Sequence, residues 1–557
     1  MKPLFQLLRF LSLMLLLSSC GTSKSLHHQP QLTGFNSTAP VVKKHSNTLF
    51  TSGNNFLVKN KQNLWELYVE GDPLQRGLLT GSLEDSLLKK QERVFFSKIE
   101  DIVPSKFKQR LLRNFLKWYN RKLYLNVAEE YKTEIYGVSE YTAHDYDNIA
   151  PRYLRNLYLH GAHDIGHALQ DLALVGCSSF AAWGDKSEDG SLILGRNFDF
   201  YAGDEFAVDK VVAFIKPTTG HPFMMVTWPG MIGAVSGMNN EGLTITINAG
   251  KSKIPLIAKT PISILTREIL QYAKNCDEAI AIAKKRKVFV SESIMIGSAI
   301  DKKAIIIEVS PNNFGVYEVP NSNQLICSNH FQSEPLKKND RNVYQIANSH
   351  SKYRYNRMLQ LLDQNPKINP EIAAFILRNK DGLDNSPPLG YGNEKALNQL
   401  IAHHGIIFKP EQRLVWVSAN PYQLGEFVCY DLNKIFKNHD ANDSVVSVEV
   451  ESNNIPQDPF VTTQAFKNYE QFRIDDRKMD AFLENKSGLT PEFAKNYQSL
   501  NPDYWVVYYK VGLYYYQKGY YQQAQPYFEK ALTKEITTAP EKRQLEKKLK
   551  KVKRELQ

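Results

Sequence analysis

Cysteine is scarce, at five positions in 557 residues. No C-x-x-C pair is present to hold zinc, and the spacing suggests no disulfide framework. The chain also lacks G-x-S-x-G, a P-loop and H-E-x-x-H, which removes the common serine-hydrolase, nucleotide and zinc-protease readings. Long apolar runs are missing beyond the first twenty residues, so no later segment is long enough to cross a bilayer. The formal charge of +11 raises the question of nucleic acid. Much of it sits in Glu541–Gln557, where eight Lys/Arg face three Glu at helical spacing, the pattern of a solvated helix face. A nucleic-acid partner is not expected.

The N-terminus does carry a signal. Lys2 and Arg9 precede an apolar run from Phe10 to Leu17, followed by Leu17-Ser18-Ser19-Cys20. This looks like a bacterial lipobox, with residues 1–20 as signal peptide and Cys20 as the lipidated mature terminus. Residues 21–59, rich at first in Ser, Thr, His, Pro and Gly, are expected to form a flexible tether. The expected location is therefore the bacterial envelope, with the chain exported and held to a membrane by lipid.

Cys177 follows Gly176 in Gly176-Cys177-Ser178-Ser179-Phe180, and Arg196-Asn197-Phe198-Asp199 begins nineteen residues later. That arrangement suits a nucleophile freed by cleavage of the Gly176–Cys177 bond. A free α-amino group titrates near ~7.7–8.0 and a thiol near ~8.5, so an N-terminal cysteine holds nucleophile and base in one residue. Arg196 then steadies the thiolate and Asp199 orients the new ammonium.

These residues carry a resemblance. Gly-Cys-Ser-Ser-Phe-Ala-Ala-Trp and Asp189-Gly190-Ser191-Leu192-Ile193-Leu194-Gly195-Arg196-Asn197-Phe198-Asp199-Phe200 resemble the penicillin acyltransferase-like family of self-processing N-terminal-nucleophile hydrolases. Bile salt hydrolases and acid ceramidases are its relatives. Leu64-Trp65-Glu66-Leu67-Tyr68-Val69-Glu70-Gly71-Asp72-Pro73, Gly237-Met238-Asn239-Asn240-Glu241-Gly242-Leu243 and Cys327-Ser328-Asn329-His330-Phe331 extend the likeness in order. The resemblance implies an α+β fold, the four-layer αββα sandwich. It implies Asn248 and Asn329 as oxyanion donors, with Asn239 and Asn240 as alternatives to Asn248. His330 is a candidate for substrate contact, and either Lys352 or Arg354 takes the role of the family's late arginine.

Apolar spacing divides the chain in the same way. Residues 60–176 read mainly helical, and 177–437 read as short strands interrupted by a helical pair and a helical block. Residues 438–500 are read as linker, because 438–475 shows no sustained periodicity. In 501–557, Tyr508, Gly512, Tyr515, Gly519, Ala524, Phe528 and Ala531 resemble one tetratricopeptide unit ahead of the basic tail. One such unit cannot bury its own face, so it docks on the main domain or on a protein partner.

The histidines give no metal motif. His160, His163 and His167 share a helix-like spacing, but a polar face is the better reading. Adjacent His403 and His404 are expected to point apart. No metal and no cofactor are expected. The reading is an amidohydrolase acting through Cys177 on linear N-acyl amides: acylated amino acids, lipo-amides, bile-acid conjugates or β-lactam side chains. The alternatives are acyl transfer to an amine, or a non-catalytic scaffold lipoprotein.

Overall fold

Four strands form before the first long helix: β1 (Lys43–Lys44), β2 (Leu49–Ser52), β3 (Asn55–Lys59) and β4 (Trp65–Gly71). Their alternation of apolar residues is short but regular, as in Phe56 and Val58 against Leu57. The computed structural model describes residues 21–161, 164, 176–201, 203–251, 257–401, 403–437 and 447–557. From Lys43 onward the expected tether is thus part of a sheet. Residues before it are docked as well. Ser25 Oγ lies 3.4 Å from Tyr158 Oη, the His28 ring packs 4.3 Å from Tyr124, and Thr133 Oγ1 donates to the Gln31 carbonyl at 3.1 Å. Small polar composition signalled flexibility, whereas aromatic and hydrogen-bonding side chains distributed along the segment fasten it down.

Helices α1 (Pro73–Leu83), α2 (Asp85–Ile102), α3 (Lys106–Tyr119), α4 (Glu129–Ser139) and α5 (Arg152–His160) follow. The Asp72 side chain caps α1 by accepting from the Gln75 amide, with Pro73 in the first turn, where its missing N–H costs nothing. Gly77 of α1 and Gly137 of α4 let these helices touch backbone to backbone. A Cβ on Gly77 would lie 2.1 Å from the Glu134 carbonyl oxygen. The same contact buries Glu134 between Arg76 at 2.6 Å and Arg267 at 3.3 Å. Burial opposes its charge, but the two arginines outweigh it and hold the carboxyl below its usual range.

Strands then dominate: β5 (Ser178–Ala182), β6 (Ile193–Phe198), β7 (Val211–Pro217), β8 (Phe223–Thr227), β9 (Ser236–Asn239) and β10 (Leu243–Ala249). Helices α6 (Ile262–Tyr272) and α7 (Cys276–Lys285) lead into β11 (Glu292–Ser298), β12 (Lys303–Val309), β13 (Phe314–Tyr317) and β14 (Gln324–Cys327). Helices α8 (Ser351–Gln364) and α9 (Pro370–Leu377) precede β15 (His404–Lys409), β16 (Leu414–Ser418) and β17 (Phe427–Asp431). Eleven strands pair in the order β1-β2-β3-β4-β7-β8-β9-β10-β11-β12-β13, and six in the order β14-β5-β6-β15-β16-β17. The pairing is antiparallel except between β4 and β7, where Trp65 lies opposite Val211 in a parallel register.

The two sheets stack face to face. Phe56, Val58, Phe214, Met224 and Met295 of the large sheet meet Ala181, Leu194, Ile406, Phe408 and Val415 of the small one. The outer face of the large sheet, with Leu67, Ile245 and Ile247, packs on Leu79, Ile135 and Leu265 of α1, α4 and α6. The outer face of the small sheet, with Phe180, Ile193 and Trp416, packs on Met358, Leu361 and Leu377 of α8 and α9. Layers therefore run helix, sheet, sheet, helix, and the α+β sandwich expected from the sequence is present.

Toward the C-terminus, half of the expected linker is helical: α10 (Gln464–Asn485) and α11 (Pro491–Leu500). Tyr469, Phe472 and Met479 form the buried stripe of α10, sparse enough among charged residues to escape a periodicity reading. Helices α12 (Trp505–Gln517) and α13 (Tyr521–Leu532) cross where Gly512 sits, since a Cβ there would meet the Phe528 ring at 2.7 Å. With α14 (Ala539–Glu555) they share a core that includes Leu400 and Leu424 of the main body, and Tyr469 donates to the Leu400 carbonyl at 3.1 Å. Among the described residues, no helix is long and apolar enough to cross a membrane.

Two consequences are measurable. Gly77→Ala should destabilise the fold by about 1–3 kcal/mol in urea unfolding, because neither helix can retreat without opening the Glu134 network. Glu84 is fully buried and accepts from the Gly230 amide, and burial lifts its carboxyl from 4.5 to about 8. It binds its proton more tightly folded than unfolded, so its contribution is full below the unfolded value and is lost as pH rises toward 8. Glu84→Gln should therefore flatten the decline of unfolding free energy measured between about pH 5 and about pH 8.

Candidate active site

Cys177 stands immediately before β5, an interior strand of the small sheet, and is 1 % exposed. Its sulfur lies 3.7 Å from Arg196 Nη2 on the neighbouring strand β6. Burial pushes the thiol up to about 11, with Arg196 pulling the other way and Asp199 and Glu292 adding to the rise. In the continuous chain the thiol is therefore neutral near pH 7.

The Arg196 guanidinium is fully buried and has no direct carboxylate partner among the described residues. It donates to Ser236 Oγ at 2.6 Å and to the Ile247 carbonyl at 2.6 Å, and lies 4.2 Å from the Phe198 ring centroid. Ser236 Oγ is also 2.9 Å from His404 Nε2, and His404 Nδ1 is 2.9 Å from His403 Nδ1. The two histidines therefore face each other instead of pointing apart. His403 lies just outside β15, so strand alternation does not govern its side chain. Burial, above all, keeps both neutral, with His403 lowered to about 3 and His404 far below its usual value.

Arg354 of α8 is the second buried cation. It donates to the Cys177 carbonyl at 2.6 Å, to Ser178 Oγ at 2.7 Å and to Asn329 Oδ1 at 2.7 Å. Of the two residues suggested for this position, Lys352 instead extends over the Tyr355 ring. Asn329 Nδ2 donates to the Ala249 carbonyl at 2.9 Å. Asn248, on β10, accepts from Ser179 Oγ at 2.9 Å and donates to the Cys327 carbonyl at 3.3 Å. Each carboxamide keeps a second N–H. Asn239 does not join this group: it closes the β9–β10 turn and donates to the Leu270 and Ala273 carbonyls. The Asn240 carbonyl accepts from Arg413. His330 follows Asn329 but turns its Nδ1 to Ser351 Oγ at 2.8 Å.

Asp199 closes the cluster from the end of β6. Its carbonyl accepts from the Gly176 amide at 3.3 Å, and its Oδ1 accepts from Gln423 at 3.3 Å. Its other carboxylate oxygen is buried and has no partner among the described residues. Burial raises the carboxyl to about 7, against the pull of Arg354, Gln423 and Arg196. Gln399 Nε2 donates to the Gly176 carbonyl at 3.1 Å, and a Cβ on Gly176 would lie 2.2 Å from that nitrogen. The glycine before Cys177 is thus the residue that admits this donor.

The structure brings Cys177, Arg196, Asp199, Asn248, Asn329 and Arg354 together in one buried cluster. Sequence reasoning missed Ser236, Gln399, Gln423 and the place of His404 beside Arg196, because none of them carries a motif around it. It missed Glu292, buried on β11, as well. Both oxygens of Glu292 lack partners among the described residues, and burial with Asp164 nearby holds its carboxyl well above the usual range. His160 spends both ring nitrogens, Nδ1 on the Asn156 carbonyl and Nε2 on the Ile232 amide, while His163 and His167 lie outside the described residues. Cys177, Cys276, Cys327 and Cys429 are buried free thiols, and the lipidation candidate Cys20 lies outside the described residues.

Arg354→Met should cost on the order of 3 kcal/mol in urea unfolding, since three buried acceptors lose their donor. Arg354→Lys should recover only part of that loss, because an ammonium cannot reproduce the fork.

Comparison with known proteins agrees with part of this picture. The sequence model of a family described as "Acyl-coenzyme A:6-aminopenicillanic acid acyl-transferase" matches residues 186–419. That span begins nine residues after Cys177 and contains Arg196, Asp199, Asn248, Asn329 and Arg354. An uncharacterized protein of Archaeoglobus fulgidus is 25% identical over 272 residues. The match covers 45% of this chain and 44% of that protein, so the chain spans less than half the length of this curated relative. Two solved structures align over most of their own length. The Caenorhabditis elegans N-acylethanolamine-hydrolyzing acid amidase ortholog has 17% identity and a TM-score of 0.31, over 42% of this chain and 93% of that one. A mutant of conjugated bile acid hydrolase from Clostridium perfringens has 17% identity and a TM-score of 0.33, over 48% and 94%. From residue 186 to residue 419, this chain is similar to the acyl-transferase family.

Proposed function

We propose that this chain is an N-terminal-nucleophile enzyme that cleaves itself before Cys177 and then hydrolyses linear N-acyl amides. The observation that carries the reading is one constellation. A sulfur sits 3.7 Å from a buried guanidinium, directly after a glycine whose carbonyl already accepts from a side-chain amide. In the first reaction the Cys177 thiol loses its proton and attacks the Gly176 carbonyl. The C–N bond breaks as a thioester forms, and the proton passes to the departing nitrogen. Water then hydrolyses the thioester, leaving a Gly176 carboxylate and a free amine and thiol on Cys177. Gln399 is aimed at the oxygen that turns negative in that step. Asp199, raised to about 7, stands ready as the proton acceptor in its ionised form.

In turnover the freed amine takes the thiol proton, and the thiolate attacks the substrate carbonyl. The spare N–H groups of Asn248 and Asn329 steady the oxyanion, and the proton returns to the leaving amine. Arg196 holds the sulfur as its charge develops. The acyl side is taken to be apolar. A cavity of about 70 Å³ is lined by Leu88, Phe95, Phe200, Phe206, Trp228 and Met231, and Phe200 directly follows Asp199. The lipobox ending in Cys20 supports an exported, lipid-anchored protein. Similarity to an acyl-transferase family favours one second reading, in which an amine replaces water in resolving the thioester.

Intact mass of the purified protein tests the first step. Two fragments are expected, the second starting at Cys177, while Cys177→Ala should stay whole and Gln399→Leu should accumulate uncut chain. Ionised Asp199 is the competent form, so the cut should accelerate as pH rises through about 7 and slow sharply in Asp199→Asn. Normal cutting of Cys177→Ala would end the proposal.

A further inference from the structure

Helix α3 (Lys106–Tyr119) has an unusual outer surface. Phe107, Leu111 and Phe115 recur every fourth residue and form one stripe, exposed to 70%, 55% and 38% respectively. Ile102, just before the helix, and Leu125, just after it, are 53% and 65% exposed. The inner side of the helix is satisfied: Tyr119 lies in the core, and Leu116 and Trp118 pack against it. The stripe is therefore apolar area beyond what folding requires. The charge on the helix is one-sided too. It carries Lys106, Lys108, Arg110, Arg113 and Lys117 and no acidic residue. Phe and Leu on one face with Lys and Arg around them is the pattern of a helix lying in a lipid interface.

A second observation points the same way. Gly21, the covalent neighbour of Cys20, sits at the end of α3, where a Cβ on it would lie 3.5 Å from Arg121 Cδ. Arg121 in turn stacks on Trp118 at 4.3 Å and donates to the Trp118 carbonyl. Residues 21–42 are docked on the helical layer instead of spooling outward. An acyl chain on the residue before Gly21 would therefore start beside this helix, with no long spacer between bilayer and body.

We infer that the exposed stripe of α3 is a membrane-contact face that inserts its apolar side chains into a bilayer of anionic phospholipid. The basic residues engage the headgroups, and the enzyme lies against the lipid surface instead of floating above it. This rests on the envelope location proposed above, but its test does not need the acyl anchor.

The experiment uses the full-length chain carrying Cys20→Ser, which offers no thiol for acylation. It is sedimented with vesicles of phosphatidylcholine alone or mixed with phosphatidylglycerol, at low and high salt. Binding is expected on the phosphatidylglycerol vesicles, weakening as salt screens the headgroups. In Phe107→Ser/Leu111→Ser the affinity should fall by about tenfold or more with an unchanged melting temperature, because these two side chains are mostly exposed, whereas Phe115 also stacks on buried Tyr119. Equal binding by the double variant overturns the inference, since both proteins share residues 1–20. Absence of binding by the parent also overturns it. So does a stripe-dependent dimer without vesicle binding, which would assign the face to a second copy. Mass spectrometry of the membrane-extracted wild type reads acylation of Cys20 separately, and its failure leaves the stripe result standing.

Discussion

The Arg354 guanidinium holds the centre of this molecule in place. One fork reaches the carbonyl of Cys177, the hydroxyl of Ser178 and the carboxamide of Asn329. It thereby fixes the head of an interior strand to the turn beyond β14 and to a helix of the outer layer. A buried cation is costly unless its donors find partners, and Arg354 also directs its Nε to His350 Nδ1 at 3.3 Å. Arg196, on the other side of the sulfur, meets this demand in part: its two Nη groups reach Ser236 Oγ and the Ile247 carbonyl, while its Nε has no partner among the described residues. Between them they set the position of Cys177 from two directions, and neither gives up a formal charge to do so.

The surrounding acids are kept in the opposite state. Asp199, Glu292 and Glu84 are all buried, and burial raises each toward or beyond neutrality. Fixed cations and protonatable acids thus share one low-dielectric interior. In the proposed reaction the cations would steady charge as it appears, and Asp199 would take up and return a proton. Asp199 is the member of this set that bonds to Gly176, which separates it from Glu84 in the helical layer.

Much of the sandwich was legible in the amino acids. Runs such as Val211–Pro217 and Glu292–Ser298 are buried on both faces, and Gly, Asn and Asp between strands mark the turns. The quoted motifs also indicated which residues surround Cys177. What the sequence did not reveal has physical reasons. Strands β2 and β3 follow a segment of small polar residues, and their place in the sheet is decided by β4, a partner farther along the chain. Helix α10 hides because its buried residues are few and thinly spread among charged ones. Ser236 and His404 come from strands of different sheets, so their meeting at 2.9 Å depends on how the layers stack. No local pattern encodes that.

The parallel register of β4 with β7 carries a consequence for the order of events. Strand β4 lies ahead of Cys177 and β7 behind it, so severing the backbone between them leaves one sheet spanning two polypeptides. Before the break, reaching this arrangement is a unimolecular search. Afterward, recovering it from a denatured pair requires two molecules to find each other, at a rate set by their concentration. Under the proposed cleavage, assembly has to precede the cut, and the cut would make the assembled state hard to regain once lost. Its durability is then governed by the barrier to coming apart instead of by a reversible equilibrium.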